Sequence, residues 1–555
     1  MPQYPKNNLA QVLIASCDAR GIHHIVISPG SRNAPLTIGF SNHPNFRAFS
    51  IVDERSAAFF ALGMAQQLQK PVAIVCTSGS ALLNYYPAIS EAYYSDIPLV
   101  VISADRPKHF INIGDGQTIM QENVFGKHVL FGANLDEDSN ITVNLNNIEK
   151  ALNISIVNKG PVHINIPFDE PLYEISEKIV QVNSSNLTAE KDTCFLHNLS
   201  EYSEEWNSSS KKMILVGQHF PNNELQKILE KIVDDPSVLV LIENTANVSH
   251  SKFINSIDKL IFPFEKVDEM KAFQPEILLS VGGMVVSKKI KQHLRKYQPK
   301  KHWHVDAKKA LNTFLCLNHH IKASPVTFFQ HFLKMVKPVK SNYQSYWLRK
   351  KAFRLKKHYK FLNECAYSDL KVFETVLKSI PKKSHIQFSN SSVIRYSQLF
   401  DIDKSQTIFC NRGASGIDGS TSTAIGAANV ANKNTVFITG DISFFYDSNA
   451  LWNAYIPSNF KIILINNRGG SIFRLISGPQ KSNALDYFET PHNLTAKHLC
   501  KMFNLNYNVA NNLNDLNNRL KLFFKDSKKP GVLEIFTPQK ENDKVLKTYF
   551  NNLKE

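Results

Sequence analysis

The sequence predicts an α/β protein made of three domains with parallel sheets, and three observations support this fold class. Its 555 residues exceed one domain at roughly 150 residues each. Short apolar strands alternate with turns containing Gly or Ser and with helical stretches, the pattern of parallel sheets. Hydrophobic residues make up 43% and charged residues 20%, which is ordinary for a chain with a large core. We expect domains at 1–180, 181–345 and 346–555.

Each domain is expected to contribute its own set of strands. The predicted strands are 23–28, 72–77, 99–103 and 162–166 in the first domain, 212–216, 238–242, 276–281 and 302–305 in the second, and 386–389, 407–410, 435–439, 461–465 and 531–536 in the third. The polar stretch 176–210 predicts a linker, and the basic, aromatic stretch 337–360 leads into the third domain. In such sheets ligands bind at the carboxyl ends of the strands, so functional residues are expected in the turns that follow them.

Composition excludes several classes of protein. No apolar run approaches the roughly 18 residues that a transmembrane helix needs. The N-terminus has no apolar segment behind a basic start, so no signal peptide is expected. The seven cysteines are scattered, odd in number and never spaced as Cys-x-x-Cys, which favours reduced thiols. We therefore expect a cytoplasmic protein without a transmembrane segment.

The chain is basic, with a net charge of +16. Nucleic acid, an anionic membrane surface or small polyanionic substrates could each explain this excess. The cations concentrate at 288–301 and 349–360, which favours solvated helix faces or linkers. A nucleic-acid binder needs basic residues interleaved with aromatic ones, and the one such stretch, 343–359, favours a linker helix. No nucleic-acid partner is expected.

Two turns in the third domain carry the most informative residues. Asp441 follows an apolar strand, and Asn467 follows the next strand 26 positions later. Neighbouring parallel strands with a crossover between them would place these turns side by side. Asp441, Asn467 and a free turn carbonyl would then supply oxygen ligands that suit Mg²⁺ beside phosphate oxygens, and Gly440, Gly469 and Gly470 permit close approach to a diphosphate. The alternative is two ordinary turns with capping Asp and Asn.

This arrangement matches the thiamine diphosphate motif, in which Gly-Asp is followed by Asn-Asn. The usual third residue is Gly, and here it is Ile442. Thiamine diphosphate also needs a carboxyl group at its aminopyrimidine ring for proton relay. Glu54 follows a predicted strand and begins a helical stretch, so it is the leading candidate, although Asp-Glu-Arg alone would indicate only a charged helix start.

Further motifs extend the resemblance over residues 28–473. They are SPGSRNAP at 28–35, DERSAA at 53–58, TSGS at 77–80, SADRP at 103–107, NRGASGIDG at 411–419 and NNRGGSIF at 466–473. Together they resemble the 2-succinyl-5-enolpyruvyl-6-hydroxy-3-cyclohexene-1-carboxylate synthases, thiamine diphosphate enzymes of menaquinone biosynthesis. The resemblance implies pyrimidine-binding, central and diphosphate-binding domains. It also implies condensation of 2-oxoglutarate with isochorismate and loss of CO₂.

The resemblance implies a role for individual residues. The implied catalytic residues are Glu54 and Gln117. The implied cofactor-binding residues are Glu54, Ile417, Gly440, Asp441, Asn467, Gly469 and Ile472. Asp441, Asn467 and Gly469 are the implied ligands of Mg²⁺ or Mn²⁺. The implied substrate-binding residues are Ser31, Arg32, Arg106, Lys288, Lys289, Ser391, Arg395, Arg412 and Phe473.

Two positions depart from the family pattern. Gly116 stands where the family often has Asn, which removes a polar contact beside Gln117. Lys289 stands where the family has Arg, which loses bidentate recognition of a carboxylate. A homodimer or homotetramer with sites at the subunit interface is also implied.

The sequence also permits two other hypotheses for the function. An acetolactate-synthase type carboligase would use pyruvate and a small apolar acceptor, whereas this chain carries several Arg residues in the relevant turns. A cofactor-binding protein without catalysis would have lost the activating carboxyl or a metal ligand. Glu54, Asp441 and Asn467 are all present.

Overall fold

Three parallel sheets organise the chain, as a computed structural model shows, and the predicted α/β fold class is confirmed. The structure describes residues 3–182, 194–475, 478–525 and 528–554. Within these ranges no helix is both long and apolar enough to cross a membrane. The six cysteines whose side chains are described are all free.

The first domain contains a six-stranded parallel sheet and a two-stranded antiparallel ribbon. Its strands are β1 Tyr4–Pro5, β2 His24–Ile27, β3 Arg47–Ser50, β4 Val72–Cys76, β5 Leu99–Asp105, β6 Gly132–Asn134, β7 Val162–Pro167 and β8 Ile175–Ser176. Its helices are α1 Asn8–Ala19, α2 Ala34–Asn42, α3 Glu54–Leu68, α4 Ser80–Asn84, α5 Tyr86–Ser95 and α6 Ile141–Asn158, with 3₁₀ turns at Lys108–Phe110 and Gly126–His128.

The middle domain is a five-stranded parallel sheet. Its strands are β9 Lys212–Val216, β10 Val238–Ile242, β11 Ile277–Val281, β12 Lys301–Val305 and β13 His319–Ile321. Its helices are α7 Leu199–Ser208, α8 Asn223–Ile232, α9 Ile257–Ile261, α10 Val267–Phe273, α11 Lys288–Lys296 and α12 Pro325–Phe332, with 3₁₀ turns at Cys194–Asn198 and Asn244–Ala246.

The third domain is again a six-stranded parallel sheet. Its strands are β14 His385–Phe388, β15 Thr407–Cys410, β16 Thr435–Gly440, β17 Lys461–Asn466, β18 Asn506–Ala510 and β19 Gly531–Phe536. Its helices are α13 Tyr343–Glu364, α14 Asp369–Ser379, α15 Ser392–Ser397, α16 Ser420–Val430, α17 Asp441–Tyr446, α18 Ile472–Leu475, α19 Ala484–Glu489, α20 Lys497–Met502, α21 Leu513–Phe523 and α22 Asn542–Asn552, with 3₁₀ turns at Ser448–Leu451 and Pro479–Lys481.

The first and third domains pack together through two helices of small residues, α3 and α16. Most residues of each helix are buried, and the buried part of α16 includes the Ser and Thr residues at 420–423 as well as small apolar ones. A methyl group at Gly63 would collide with the carbonyl of Thr423, and one at Gly426 with the carbonyl of Phe60. The two backbones therefore touch at this crossing, which only glycine permits at both positions.

Side chains of the middle domain complete the edge of the third sheet. Asn247 donates a hydrogen bond to the carbonyl of Ile408 (2.9 Å) and accepts one from its N–H (2.7 Å). Gln218 donates to the carbonyl of Cys410 (3.1 Å) at the end of the same strand, β15. These bonds fix the middle domain against the loop that follows β15.

Two sequence expectations are wrong in detail. The stretch 176–210 is not a linker throughout, because α7 lies within it and buries Trp206 against the middle sheet; residues 183–193 lie outside the described part. The sequence also predicts a helical stretch over 446–455 after the first of the two turns, but the helix there begins at Asp441 and ends at Tyr446, since strand β16 passes directly into α17. The helix expected over 343–359 is present as α13.

Candidate active site

A cavity of about 240 Å³ lies at the carboxyl end of the third sheet. It is lined by the turns after β14, β16 and β17, by two residues of α14 and by other residues of the third domain: Asp369, Phe373, Asn390, Ser391, Ser392, Val393, Tyr396, Ile417, Gly440, Asp441, Ile442, Ser443, Ile465, Asn467, Gly469, Gly470, Ser471, Ile472, Phe473, Phe488 and Thr490. This is the edge at which an α/β sheet binds ligands.

The two turns of the predicted motif meet at this edge. Strands β16 and β17 are parallel neighbours, with Gly440 opposite Ile465. Asp441 then accepts a hydrogen bond from the N–H of Gly469 at Oδ2 (3.0 Å), and from the N–H of Ile442 at Oδ1 (2.7 Å). The carboxylate is buried and joins the two turns directly.

Asn467 presents an oxygen without a partner. Its Nδ2 donates to Asp369 Oδ2 (3.0 Å) and to Ser471 Oγ (2.9 Å), which fixes the orientation of the amide. Its Oδ1 is buried and has no hydrogen-bond partner, a costly state for a polar atom. An amide oxygen beside the Asp441 carboxylate is a donor set that fits Mg²⁺ or Mn²⁺.

Glycine is required in the second turn. Gly469 has φ +149°, and a side chain there would meet the carbonyl of Glu489. Its own carbonyl accepts a hydrogen bond from the N–H of Ser471 (2.9 Å), which leaves its second lone pair for another partner. At Gly440 an added methyl group would contact only the side chain of Val393, so the backbone faces open space. These features suit close approach of a diphosphate.

Two site residues were not identified from the sequence. Asp369, at the start of α14, orients Asn467, and burial raises the pKa of its carboxyl to about 6 with help from the nearby Asp441 charge. His492 places Nε2 3.3 Å from Asp441 Oδ2. Neither residue could be recognised from the sequence around it, since both reach the site from parts of the third domain outside the two motif turns.

Two arginines of the third domain share the region beside the cavity. Arg395 donates from Nη1 to the carbonyl of Ser391 (2.6 Å), and Arg412 donates from Nη1 to Asn390 Oδ1 (2.8 Å). Burial lowers the pKa of Arg395, and the charge of Arg412 lowers it further. Arg412 Nε is buried without a partner. A pair of close cations with a free donor is suited to a substrate that carries more than one carboxylate.

The remaining predicted residues of this domain line the same cavity. Ser391, Ile417, Ile472 and Phe473 all contribute to its wall. Ser391 has φ +68° and ψ −129°, a strained conformation for a residue with a side chain. Ser443 Oγ donates to the carbonyl of Ile417 (2.7 Å), so the turn of Asp441 also holds the loop that carries Ile417.

The predicted residues of the first domain form a second group at the carboxyl end of their own sheet. Arg32 is buried and donates from Nη1 to the carbonyl of Phe168 (2.8 Å), while Ser31 is exposed. Burial lowers the pKa of Arg32, and the charge of Arg106 adds to this effect. Gln117 is exposed at φ +55°, and its backbone packs against Gly79.

Glu54 begins α3 and belongs to this first-domain group. Asp53 caps the helix by accepting from the N–H of Ser56 (3.0 Å), which places Glu54 in the first turn. Its Oε2 lies 3.4 Å from Asn84 Nδ2, and the side chain is half-buried. The cavity around Asp441 is lined only by residues 369–490, so this structure does not bring Glu54 into it.

The predicted lysines of the middle domain lie outside the cavity. Lys288 and Lys289 are exposed at the start of α11, and Lys289 Nζ lies 4.4 Å from the ring of Phe262. The loop before them is anchored by Glu243, which accepts from the N–H groups of Val286 (2.6 Å) and Ser287 (2.7 Å). Burial raises the pKa of Glu243 to about 7.

Comparison with known proteins agrees with this geometry. Residues 7–128 match the family model "Thiamine pyrophosphate enzyme, N-terminal TPP binding domain", and residues 391–535 match "Thiamine pyrophosphate enzyme, C-terminal TPP binding domain". The first match contains Glu54 and the second contains Asp441 and Asn467. The fold and the site therefore define a thiamine diphosphate-dependent enzyme.

Full-length relatives specify the family. The chain is 55% identical to a protein of Flavobacterium johnsoniae and 54% identical to one of Flavobacterium psychrophilum. Each match covers 99% of this chain and all of the relative. A protein of Christiangramia forsetii is 52% identical, with all of both chains covered. All three are named 2-succinyl-5-enolpyruvyl-6-hydroxy-3-cyclohexene-1-carboxylate synthase, and this chain belongs to that family.

Proposed function

We propose that this enzyme decarboxylates 2-oxoglutarate and joins the remaining four-carbon unit to isochorismate, with thiamine diphosphate and Mg²⁺ or Mn²⁺. The products are CO₂ and the compound for which its relatives are named. The observation that carries the proposal is the buried, unpartnered Asn467 Oδ1 beside Asp441 in a cavity with open glycine backbone. The Arg395 and Arg412 pair supports a dicarboxylate substrate.

In this proposal the third domain holds the metal and the diphosphate. Asp441 Oδ2, Asn467 Oδ1 and the carbonyl of Gly469 are the metal ligands, and Gly440 leaves room for the diphosphate. When bound, thiamine diphosphate supplies the electron-accepting ring that permits loss of CO₂ from a 2-oxo acid. Ile417 and Ile472 are apolar supports for the cofactor at the cavity wall.

The proposed substrate contacts are charge-assisted. Arg395, Arg412 and Ser391 bind carboxylates from the third domain, since 2-oxoglutarate and isochorismate each carry two of them. Phe473 forms an apolar wall. Contacts from other domains are assigned by family resemblance to Ser31, Arg32, Arg106, Lys288 and Lys289, with Gln117 beside the reacting atoms.

Glu54 is proposed as the group that holds and transfers a proton at the aminopyrimidine ring. It lies outside the cavity of its own chain, which supports a site completed by Glu54 of the partner subunit. A homodimer or a homotetramer built from such dimers then contains equivalent sites at its interface. The free cysteines support a cytoplasmic location.

The decisive experiment is incubation with thiamine diphosphate, Mg²⁺, 2-oxoglutarate and isochorismate, followed by mass analysis of the product. Omission of the cofactor, the metal or either substrate should abolish the product. Full activity after exhaustive removal of cofactor and metal would contradict the proposal. Equal use of pyruvate in place of 2-oxoglutarate would favour an acetolactate-synthase type of carboligase.

A further inference from the structure

A buried glutamate of the first domain holds the Arg412 loop of the third domain. Glu91 lies on α5 and is 2% exposed. Its Oε1 accepts from the N–H of Gly413 (2.6 Å), and its Oε2 accepts from the N–H groups of Ala414 (2.7 Å) and Ser415 (3.2 Å). Three successive backbone donors thus surround one carboxylate, in the manner of an anion-binding nest.

The loop packs so closely against α5 that position 413 has no room for a side chain. A side chain at Gly413 would meet the backbone carbonyl of Glu91, at 2.5 Å from an added methyl carbon, and Ser95 Oγ at 2.7 Å. Ser95 Oγ also donates to Glu91 Oε1 (2.8 Å). Loop and helix are therefore in direct contact, and Gly413 is the residue that allows it.

No cation neutralises Glu91 among the ion pairs of the described residues. Burial raises the pKa of its carboxyl, and the four hydrogen bonds oppose this rise. A buried carboxylate is costly unless every oxygen is satisfied, and here the donors come mainly from one loop. A contact between domains could be made by apolar side chains without this desolvation cost. The carboxylate therefore indicates that the 413–415 backbone must be held in one conformation.

Arg412 lies in this loop, immediately before the first of the three donors. On its other side Asn390 donates from Nδ2 to the carbonyls of Asn411 and Gly416 (both 2.7 Å) and accepts from Arg412 Nη1. The Arg412 backbone is thus fixed from two directions, by Asn390 of its own domain and by Glu91 of the first domain.

We propose that Glu91 is a positioning residue for substrate binding, because its carboxylate fixes the 413–415 backbone and thereby directs the Arg412 guanidinium toward the substrate carboxylate. This inference rests on the proposed role of Arg412. It also means that the first domain of one chain serves the site of its own chain through Glu91, in addition to the role proposed for Glu54.

The test is Glu91→Gln, which keeps the shape but replaces an acceptor by an amide N–H that faces backbone donors. We expect the KM for 2-oxoglutarate to rise about tenfold, as for loss of a charge-assisted contact, while the Kd for thiamine diphosphate with Mg²⁺ changes less than about twofold. In an Arg412→Ala background, Glu91→Gln should raise the KM no further, since residues that act through one another are not additive.

The matched control is Glu374→Gln, which alters a glutamate that is 7% exposed, is paired with Lys371 and Lys378, and does not line the cavity. It should lower stability without changing the KM. An unchanged KM in Glu91→Gln, or a full further increase in the Arg412→Ala background, would overturn the positioning role and leave Glu91 as a structural contact.

A second readout separates this inference from the proposed reaction. Hydrogen–deuterium exchange at the 413–415 amides should accelerate about tenfold or more in Glu91→Gln, whether or not 2-oxoglutarate is the substrate. Unchanged exchange would overturn the hold of Glu91 on the loop. Failure of the wild-type enzyme to bind 2-oxoglutarate, with accelerated exchange in the variant, would instead reject the proposed substrate alone.

Discussion

The first and third domains have the same strand order but carry different chemistry. The first sheet runs β3-β2-β4-β5-β7-β6 and the third runs β15-β14-β16-β17-β19-β18, so corresponding strands occupy corresponding places. Helix α3 follows β3 and helix α16 follows β15, which correspond in the two sheets, and the two helices pack against each other. The two domains thus share one scaffold, and the turns at the carboxyl ends of their strands determine what each can bind.

The turns differ in what they present. The third sheet ends in Asp441, Asn467 and glycines around a cavity, an arrangement suited to a metal and a diphosphate. The first sheet ends in a carboxylate, Glu54, and in two arginines, with no comparable set of metal ligands in the turns described above. The third domain is therefore suited to hold a charged group, and the first domain to supply a group for proton transfer.

The largest expected effect comes from the third domain. Asp441→Ala removes the proposed metal ligand and the acceptor that joins the two turns. Activity should fall by on the order of 10⁴-fold or more, since enzymes owe at least about 10⁶-fold acceleration to the complete site. Calorimetry should detect no metal-dependent binding of thiamine diphosphate. Retained tight binding would remove Asp441 from the metal site.

The corresponding change in the first domain should separate binding from chemistry. Glu54→Gln keeps the shape of the side chain but cannot transfer the proton, so activity should fall about 10²- to 10⁴-fold with cofactor affinity retained. Proton–deuterium exchange at the thiazolium carbon of the bound cofactor should slow in parallel. An unchanged exchange rate would assign the proton relay to another residue.

Mixing the two inactive variants tests whether the halves of a site come from different chains. After random subunit exchange, about a quarter of wild-type activity should return, because half of the dimers are mixed and each has one intact site. Confirmed exchange with no activity would place Glu54 and Asp441 in one chain's site. Adding Glu91→Gln to the Glu54→Gln chain should raise the KM of the restored site, whereas adding it to the Asp441→Ala chain should not.

The helix crossing offers a test of the shared scaffold. Gly63→Ala and Gly426→Ala each force a methyl group against a backbone carbonyl, so each should reduce the free energy of unfolding by about 1–3 kcal/mol. Gly116→Ala is the matched control, since an added methyl group meets nothing there within 4 Å. Equal stability of all three variants in denaturant titrations would show that the crossing is not tightly packed.

The two crossing helices also differ in how they begin, and this difference depends on pH. Asp53 caps α3, whereas α16 is held by Asp447, which accepts from the N–H (2.8 Å) and Oγ (3.0 Å) of Ser422. Burial raises the pKa of Asp447 from 3.8 to about 7. As pH rises, Asp447 therefore loses its proton at a lower pH in the unfolded chain than in the folded one. Its contribution to the free energy of unfolding declines as pH rises from about 4 to 7.

Replacing Asp447 by Asn should remove this dependence. The difference in free energy of unfolding between variant and wild type should shift in favour of the variant by at most about 1.4 kcal/mol per pH unit across that window. Denaturant titrations at pH 5, 6 and 7 provide the measurement. A constant difference across the three values would show that Asp447 titrates at its ordinary pKa.

The sequence predicted those parts of the site that depend on neighbouring strands. Asp441 and Asn467 could be paired because β16 and β17 are consecutive and adjacent, so their turns had to meet. Asp369 could not be found this way, because it lies 98 positions from the Asn467 amide that it orients. Glu91 lies 322 positions from Gly413 and acts from another domain.

Errors in the predicted elements have a similar cause. The 176–210 stretch has the composition of a linker, yet Tyr202 and Trp206 within α7 are buried by the middle sheet. The mean composition of the stretch is polar, so it gave no sign of these two buried aromatic residues, which lie four positions apart on one face of the helix. The separation of Glu54 from the cavity likewise could not follow from local pattern, since it depends on how whole domains pack.

The glycine crossing of α3 and α16 also limits how the molecule can open. With backbone against backbone at Gly63 and Gly426, no flexible side chain lies between the helices to absorb a sliding movement. A hinge between the first and third domains would have to break this contact. We therefore expect substrate entry to depend on movement of surface loops, while the first and third domains move as one rigid body.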